Sequence, residues 1–557
     1  MSRRAIVRFL IFAPVAIFIG AFVLYPVSML FFRSFSGDFS TTSNGIDILW
    51  HNNYIWKVAW FTFWQALLST GLTLIIGIPG AYLFAKYNFW GKSIFRSLVS
   101  LPFVMPTVVI AIGFISLFSP NGLIDRIIVI IGLDGFRVSG ASGLVFILLA
   151  HIMFNYSIVI RIVSVVWENI DERLLEVASI LGANWFNTLF RIILPILYPA
   201  ILSSAILVFM FSFTSFGVVL MLGGYEYSTL EVLIYQLTTK MFRLQTAASI
   251  AIVQIGFIYI ILYINSVLQQ KFTRDYGLSY RRIVRKESLL KFRNVIVFFS
   301  IIILIFIMLL PLVAIFDRIT SITGGYSVEP FTNLFNFRDH SYFFISPWHA
   351  IYNSIKFAVI ASFISVLVGG LAAYYLTSNR KHNRMNLIDA FLMLPLGIPA
   401  IVLGLGFLLA YSYDPIDLRG SWIVIVLAHS IIGYPFVIRS ILPIINNIPS
   451  NLYDSANVLG GSTVYIFKTV TIPLIWRGVL VGTIFAFAVS IGEFGSSLIL
   501  YRKDLVTIPV AIYRYLGQPG DANLSAGLTM SLILATVVLI SFILIEKIRF
   551  RGVGSYY

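Results

Sequence analysis

The sequence predicts an all-α polytopic membrane protein, with about twelve transmembrane helices arranged as two parallel six-helix repeats. Composition is the first reason. Of 557 residues, 59% are hydrophobic and 11% charged, too few polar groups to cover a soluble surface that ordinarily needs about 25%. The second reason is a series of uncharged apolar runs, each about 20 residues or longer, the length a helix needs to cross roughly 30 Å of hydrocarbon. The third is an internal repeat at a fixed offset of 278 residues. Collagen-like, disordered, coiled-coil and disulfide-scaffold classes are excluded by the same composition. The absence of cysteine rules out disulfides, thiolate metal sites and Cys nucleophiles.

Taken in order, the spans fall at about 9–31, 58–85, 95–119, 143–166, 196–222, 246–267, 294–316, 351–376, 387–411, 421–442, 474–500 and 524–545. The first follows Arg3, Arg4 and Arg8 and so imitates a secretory signal. It is too long for a signal's apolar region and lacks a small-residue cleavage site, so it is read as a span. Pro102, Pro106, Pro395 and Pro399 are expected to break spans three and nine at equivalent places. Broken helices are tolerated only where they are buried or line a cavity.

Charge fixes the expected orientation. With the N-terminus inside, the inner loops carry 26 Lys+Arg against 9 Asp+Glu, and the outer loops 13 against 14. That asymmetry is the positive-inside pattern, and it places both termini in the cytoplasm. The pI near 9.8 therefore reflects inner loops rather than nucleic-acid binding. The densest basic stretch, within residues 271–293, contains Lys271, Arg281, Arg282, Arg285 and Lys286. It reads as a linker between an N-terminal half, 1–270, and a C-terminal half, 294–557.

The repeat aligns His151–Ala248 with His429–Ala526 without a gap, and 20 of the 73 positions from 151 to 223 are identical. The pairs include His151/His429, Tyr156/Tyr434, Arg161/Arg439, Gly182/Gly460, Pro195/Pro473 and Phe216-Gly217/Phe494-Gly495. Upstream, Leu101–Pro106 matches Leu394–Pro399 at an offset of 293. Six spans per half is an even number, so both copies of any loop face one side and the repeats are parallel. Two such halves facing each other enclose a path, which suits a transporter.

Between spans four and five the chain turns polar, over about 168–195. Its helical period ends at Gly182, which can take the positive-φ position past a helix. Asn184 can cap a second helix, and Pro195 is expected to close the segment. The copy at about 446–473 preserves Ala456, Gly460 and Pro473, with Asp454 in place of Glu176. Each copy predicts a protruding helix–turn–helix on the cytoplasmic side, where small Ala178 and Ala456 would admit a partner.

Glu-x-Ala, three residues, Gly, nine residues and Ile-x-Leu-Pro resembles the EAA loop of ABC-importer permeases. Glu176, Ala178 and Gly182 fit that spacing throughout, and Asp454, Ala456 and Gly460 fit with conservative changes. The chain is identified as similar to the fused double permeases of the iron(III) and thiamine uptake group. Ser490-Ile-Gly-Glu-Phe-Gly495 and Thr507–Pro519 carry further likeness, and Thr229–Leu237 lies slightly nearer the thiamine members. The resemblance implies the ABC type-1 permease fold and an ATPase-coupling role for those six EAA residues. It further implies two ATP-binding cassette subunits, an external or lipid-anchored solute-binding protein, and residence among lipids of a prokaryotic plasma membrane. It implies no nucleic-acid partner and no enzymatic activity in this chain. No Gly-x4-Gly-Lys-[Ser/Thr] occurs, so no P-loop holds ATP here, and no cofactor is expected outside the partner subunits.

Ionisable groups inside spans carry a functional hypothesis by default. Glu493 stands in span eleven opposite Ser215 of the repeat, so its charge is asymmetric. With Ser215, Phe216 and Phe494 it forms the candidate translocation path, where a carboxylate would attract thiamine or a metal ion. A hydrogen-bonded structural role for Glu493 is the other reading. His151 and His429 have no carboxylate or second histidine at helical spacing. They read as interhelical hydrogen-bonding groups rather than metal ligands. Two other functions stay open from the residues. One is an ion-gradient-driven secondary transporter, which would need more buried charges. The other is an ABC permease for another small solute (a polyamine, a phosphonate or an oxyanion).

Overall fold

The computed structural model describes residues 12–35, 45–88, 92–120, 122–132, 143–224, 226–275, 287–288, 292–322, 329–335, 346–378, 385–413 and 416–553. Most of the basic linker, including Arg281, Arg282, Arg285 and Lys286, lies outside the described residues, as do Arg3, Arg4 and Arg8. The first half contains α1 (Phe12–Phe35), α2 (Asn53–Lys86), α3 (Lys92–Val104), α4 (Thr107–Phe118), α5 (Gly143–Glu168), α6 (Glu172–Ile180), α7 (Trp185–Phe213), α8 (Gly217–Leu222), α9 (Leu230–Thr239) and α10 (Leu244–Asp275). The second half contains α11 (Phe292–Ile322), α12 (Pro347–Ser378), α13 (Met385–Leu392), α14 (Ala400–Ala410), α15 (Trp422–Asn446), α16 (Ser450–Val458), α17 (Phe467–Ile491), α18 (Gly495–Leu500), α19 (Ile508–Leu516) and α20 (Asp521–Val553). The fold is all-α and polytopic, and the element order of the first half recurs in the second.

Ten helical stretches among the described residues are long and apolar enough to cross a bilayer. The two remaining expected spans are α11, and the ninth, which is divided into α13, a 3-10 turn over Leu394–Gly397, and α14. The third is divided in the same way, into α3 and α4 about Met105 and Pro106. Two of the four prolines behave as expected: Pro106 and Pro399 sit at the N-caps of α4 and α14 with extended ψ of 135° and 143°. Pro102, by contrast, stays inside α3, and Pro395 opens the 3-10 turn.

Two expectations are corrected. Spans five and eleven are not continuous: α7 stops at Phe213 and α17 at Ile491, and α8 and α18 restart at Gly217 and Gly495. No proline marks these breaks, and apolar length alone gave an uninterrupted helix. Pro195 and Pro473, in turn, do not end the polar segment. The chain passes through π-helical turns at Leu189–Ile193 and Phe467–Thr471 and continues as helix. A wider turn relieves the clash and the missing amide that proline brings to a regular helix.

Each half lends its first helix to the other. Helix α1 packs on α10 of its own half and on α14 of the second half. Tyr411, just past α14, donates its hydroxyl to the Ala21 carbonyl at 2.6 Å, and Phe12 stacks on Tyr375 with ring centroids 4.5 Å apart. Reciprocally, α11 lies along α4, and Asp317 pairs with Arg126 of the first half. Tyr411→Phe deletes one partly buried bond across this exchange. It is expected to cost about 1 kcal/mol, read as a lower melting temperature of the detergent-purified protein with uptake retained.

Two exposed helical turns and a cavity between the halves

The first copy of the polar loop folds as its residues dictate. Asp171 caps α6, its carboxylate accepting from the Arg173 amide at 3.0 Å. At the other end Gly182 has φ +79°, and the Ala183 amide donates to Ala178 O at 2.9 Å while the Gly182 amide donates to Ser179 O at 3.0 Å. This is the paired bonding of a Schellman ending, which needs a left-handed residue at that position. Asn184 then accepts from the Asn187 amide at 2.8 Å and starts α7. The copy repeats the geometry: Gly460 has φ +80°, the Gly461 amide donates to Ala456 O at 3.0 Å, and Ser462 accepts from the Tyr465 amide at 3.2 Å. Glu176 and Asp454 are exposed. Ala178 is buried and Ala456 half-buried. What each turn offers outward is apolar: Leu181 is 80% exposed and Leu459 86%.

The root of each loop is tied to the broken span beside it, with the charges exchanged between halves. Glu168 of α5 accepts from Lys92 Nζ at 3.1 Å and Arg96 Nη2 at 2.7 Å. Position 96 corresponds to Asp389, which pairs with Arg439 of α15 at 3.3 Å.

A cavity of about 340 Å³ lies between the halves. The helix breaks build it: residues at the α3–α4 and α13–α14 breaks, at the α7–α8 and α17–α18 breaks, and on α5 all line it. Non-helical backbone at membrane depth is tolerated in such a place. All four sequence-predicted path residues, Ser215, Phe216, Glu493 and Phe494, line this cavity. Phe216 and Phe494 are repeat partners, and their rings stack across the interface at 5.4 Å. Behind them stand another pair of repeat partners, Tyr235 against Phe216 and Tyr513 against Phe494, each at 5.6 Å. Close approach is built into the backbone: a Cβ on Gly217 would lie 2.4 Å from Thr107 Oγ1 and 3.3 Å from Phe494 Cδ1.

Glu493 is hydrogen-bonded and also faces the cavity. Its Oε1 accepts from the Ser496 amide at 3.1 Å and the Ser496 hydroxyl at 3.3 Å, fixing the start of α18, and its side chain also lines the cavity.

A second cavity carboxylate escaped the sequence analysis. Glu231 belongs to a stretch taken as an outer loop, but that stretch folds inward as the buried helix α9. The Leu230 amide donates to Thr62 Oγ1 of α2 at 3.0 Å, and its counterpart, the Ile508 amide, donates to Ser354 Oγ of α12 at 2.7 Å. Glu231 is 1% exposed, accepts from Gln254 Nε2 at 3.2 Å and lines the cavity. A carboxylate inside the apolar run Leu230–Ile234 was the available signal, and it was read as surface charge. Tyr235 sits one helical turn further on, and its match to Tyr513 at the repeat offset was legible too.

His151 and His429 sit at equivalent places with different surroundings. His429 shares hydrogen bonds at 2.8 Å with Ser490 Oγ and Ser497 Oγ, one at each ring nitrogen. His151 Nδ1 shares one with Ser69 Oγ at 3.0 Å. Among the described residues, no three His, Asp or Glu side chains converge as a metal site.

Two pseudo-symmetric helical halves around a shared cavity, each with a protruding helical turn, define a membrane transport permease. The chain belongs to the family described as the binding-protein-dependent transport system inner membrane component, which it matches over residues 74–274 and again over 365–551. It is therefore a multi-pass permease subunit of an ATP-binding cassette importer. It is similar to the thiamine transport system permease protein of Haemophilus influenzae, 28% identical over 510 residues, 88% of this chain and 89% of the relative. The protein of the same description from Escherichia coli is 25% identical over 522 residues, 91% of each chain. A putative 2-aminoethylphosphonate transport system permease protein of Salmonella typhimurium is 26% identical over 204 residues, covering 37% of this chain and 76% of that one.

Proposed function

We propose that this permease forms the path by which thiamine enters the cell. The observation that carries the reading is the cavity, where Glu231 and Glu493 stand beside stacked aromatic rings. Carboxylates and aromatic faces both attract an organic cation out of water. The full-length likeness to thiamine permeases supports the same solute. An anionic phosphonate is disfavoured by those acids, and ferric iron would want more hard oxygen ligands than two carboxylates supply.

In this reading both termini and both EAA loops face the cytoplasm. The exposed apolar turns at Leu181 and Leu459, with Glu176, Ala178, Gly182, Asp454, Ala456 and Gly460, dock one ATP-binding cassette subunit each. ATP is bound and hydrolysed on those subunits, and an external binding protein delivers the solute on the opposite side. Closure of the ATPase pair moves the two turns, and the halves open and close around the cavity.

The test is uptake of labelled thiamine and labelled ferric iron by cells lacking the gene. Wild type is expected to restore thiamine uptake and leave iron uptake unchanged. Glu231→Gln and Glu493→Gln, at equal membrane levels, are each expected to lower the initial thiamine rate about tenfold, equivalent to about 1.4 kcal/mol. Restoration of iron uptake instead, or full activity in both variants, would refute the assignment.

A further inference from the structure

The cavity wall is more polar on the first half, which brings Thr107, His151, Asn155, Thr214, Ser215 and Glu231 to it, than on the second, which brings Glu493. His151 Nε2 and Asn155 Oδ1 have no hydrogen-bond partner among the described residues, although their residues are 2% and 1% exposed and both line the cavity. Their other atoms are engaged: His151 Nδ1 with Ser69, and Asn155 Nδ2 donating to Ser212 Oγ at 3.1 Å. Glu231 lines the same cavity from the same half. At the repeat offset the counterparts of these three are His429, Gly433 and Pro509. His429 is fully paired because Ser497 reaches its Nε2. The residue matching Ser497 in the first half is Val219, which has no polar atom to offer. Gly433 and Pro509 bring no side-chain polar group at all.

Buried polar atoms without partners are unfavourable and uncommon in native proteins. Here two of them share one cavity with a buried carboxylate, and the twin half has none of the three. Resting on the thiamine reading above, we propose that His151, Asn155 and Glu231 form a solute-orienting subsite in the N-terminal half. It takes the hydrogen-bonding edge of a heteroaromatic cation bearing an exocyclic amine. Asn155 Oδ1 accepts from the amine, His151 Nε2 meets an adjacent ring nitrogen, and Glu231 balances the cationic charge. The second half contributes Glu493 and the aromatic face but reads no edge. The solute therefore crosses in one orientation, and the permease adds its own selection to that of the receptor.

The experiment uses the complete transporter, with its ATPase subunits and binding protein, in proteoliposomes. Transport of thiamine is compared with that of the analogue whose pyrimidine 4-amino group is replaced by oxygen. The receptor is the same throughout, so any change in the ratio between variants belongs to the permease. Asn155→Leu and His151→Phe are expected to lower the preference for the amine at least fivefold. Asn155→Asp, which keeps the acceptor, is expected to preserve it, and His429→Gln in the twin site to leave it unchanged. A variant that transports too little is read by competition binding of the two compounds to the purified complex. If wild type transports thiamine and Asn155→Leu keeps the wild-type ratio, the subsite is overturned and the thiamine reading stands. If wild type moves no thiamine, both fall together.

Discussion

Replacing Gly182 and Gly460 together by valine is expected to cut thiamine uptake at least a hundredfold while the protein still reaches the membrane. Both glycines hold φ near +80°, a conformation a β-branched residue adopts only with strain. The left-handed penalty is about 1–2 kcal/mol per residue, and the Schellman bonds from Ala183 and Gly461 depend on the same angle. Space is open around both positions, so the damage stays in the turns and the spans keep their packing. Each single variant is expected to retain partial uptake, because in the proposed coupling the other turn still docks. Uptake, membrane abundance and co-purification of the ATPase subunits check the result together. A double variant that keeps half of wild-type uptake would show that the turns do not transmit the work of ATP hydrolysis.

The second large effect is a leak. With ring centroids 5.4 Å apart, Phe216 and Phe494 leave no gap for a solute between them, so passage along the proposed path requires the rings to part. The double change Phe216→Ala and Phe494→Ala removes that contact permanently. Proteoliposomes preloaded with thiamine and given no ATP are expected to lose it at least tenfold faster than wild type. Truncating two such buried rings also costs several kcal/mol of packing, so Phe494→Leu, which keeps most of the volume, is the companion and should leak far less. Vesicles that stay tight with both rings removed would place the barrier elsewhere, and the Tyr235 and Tyr513 pair would be next to examine.

What the sequence disclosed depended on how local each cause was. Gly182 and Gly460 were legible because a positive φ restricts residue type wherever it occurs, and Asn184 because a cap acts within one turn. Phe216 and Phe494 were legible because the repeat aligned them. The breaks before α8 and α18 were hidden although both helices restart at a glycine, because the tight space at Gly217 and Gly495, against Thr107 and Ala400, is set by other helices of the bundle. Glu231 was hidden for a related reason. A short polar-edged helix looks like an outer loop until Thr62 and Ser354 are seen to cap α9 and α19 from inside the bundle. The inequality of His151 and His429 was beyond reach, because it lies in their tertiary partners: Ser69 reaches His151, whereas Ser490 and Ser497 reach His429 and Val219 stands where Ser497 would be matched.

The exchange of first helices means that the first half cannot complete its packing until much of the second has been made. Helix α1 enters the membrane first, yet the hydroxyl that bonds to Ala21 is carried by Tyr411, 390 residues downstream. At about 5–20 residues per second, the ribosome needs roughly 20–80 s to synthesise that stretch. Throughout that interval the surface of α1 that will meet α14 faces lipid or the insertion machinery, and the first half waits unfinished. Carrying both halves on one polypeptide guarantees that the awaited helix arrives from the same ribosome, at the same place in the membrane.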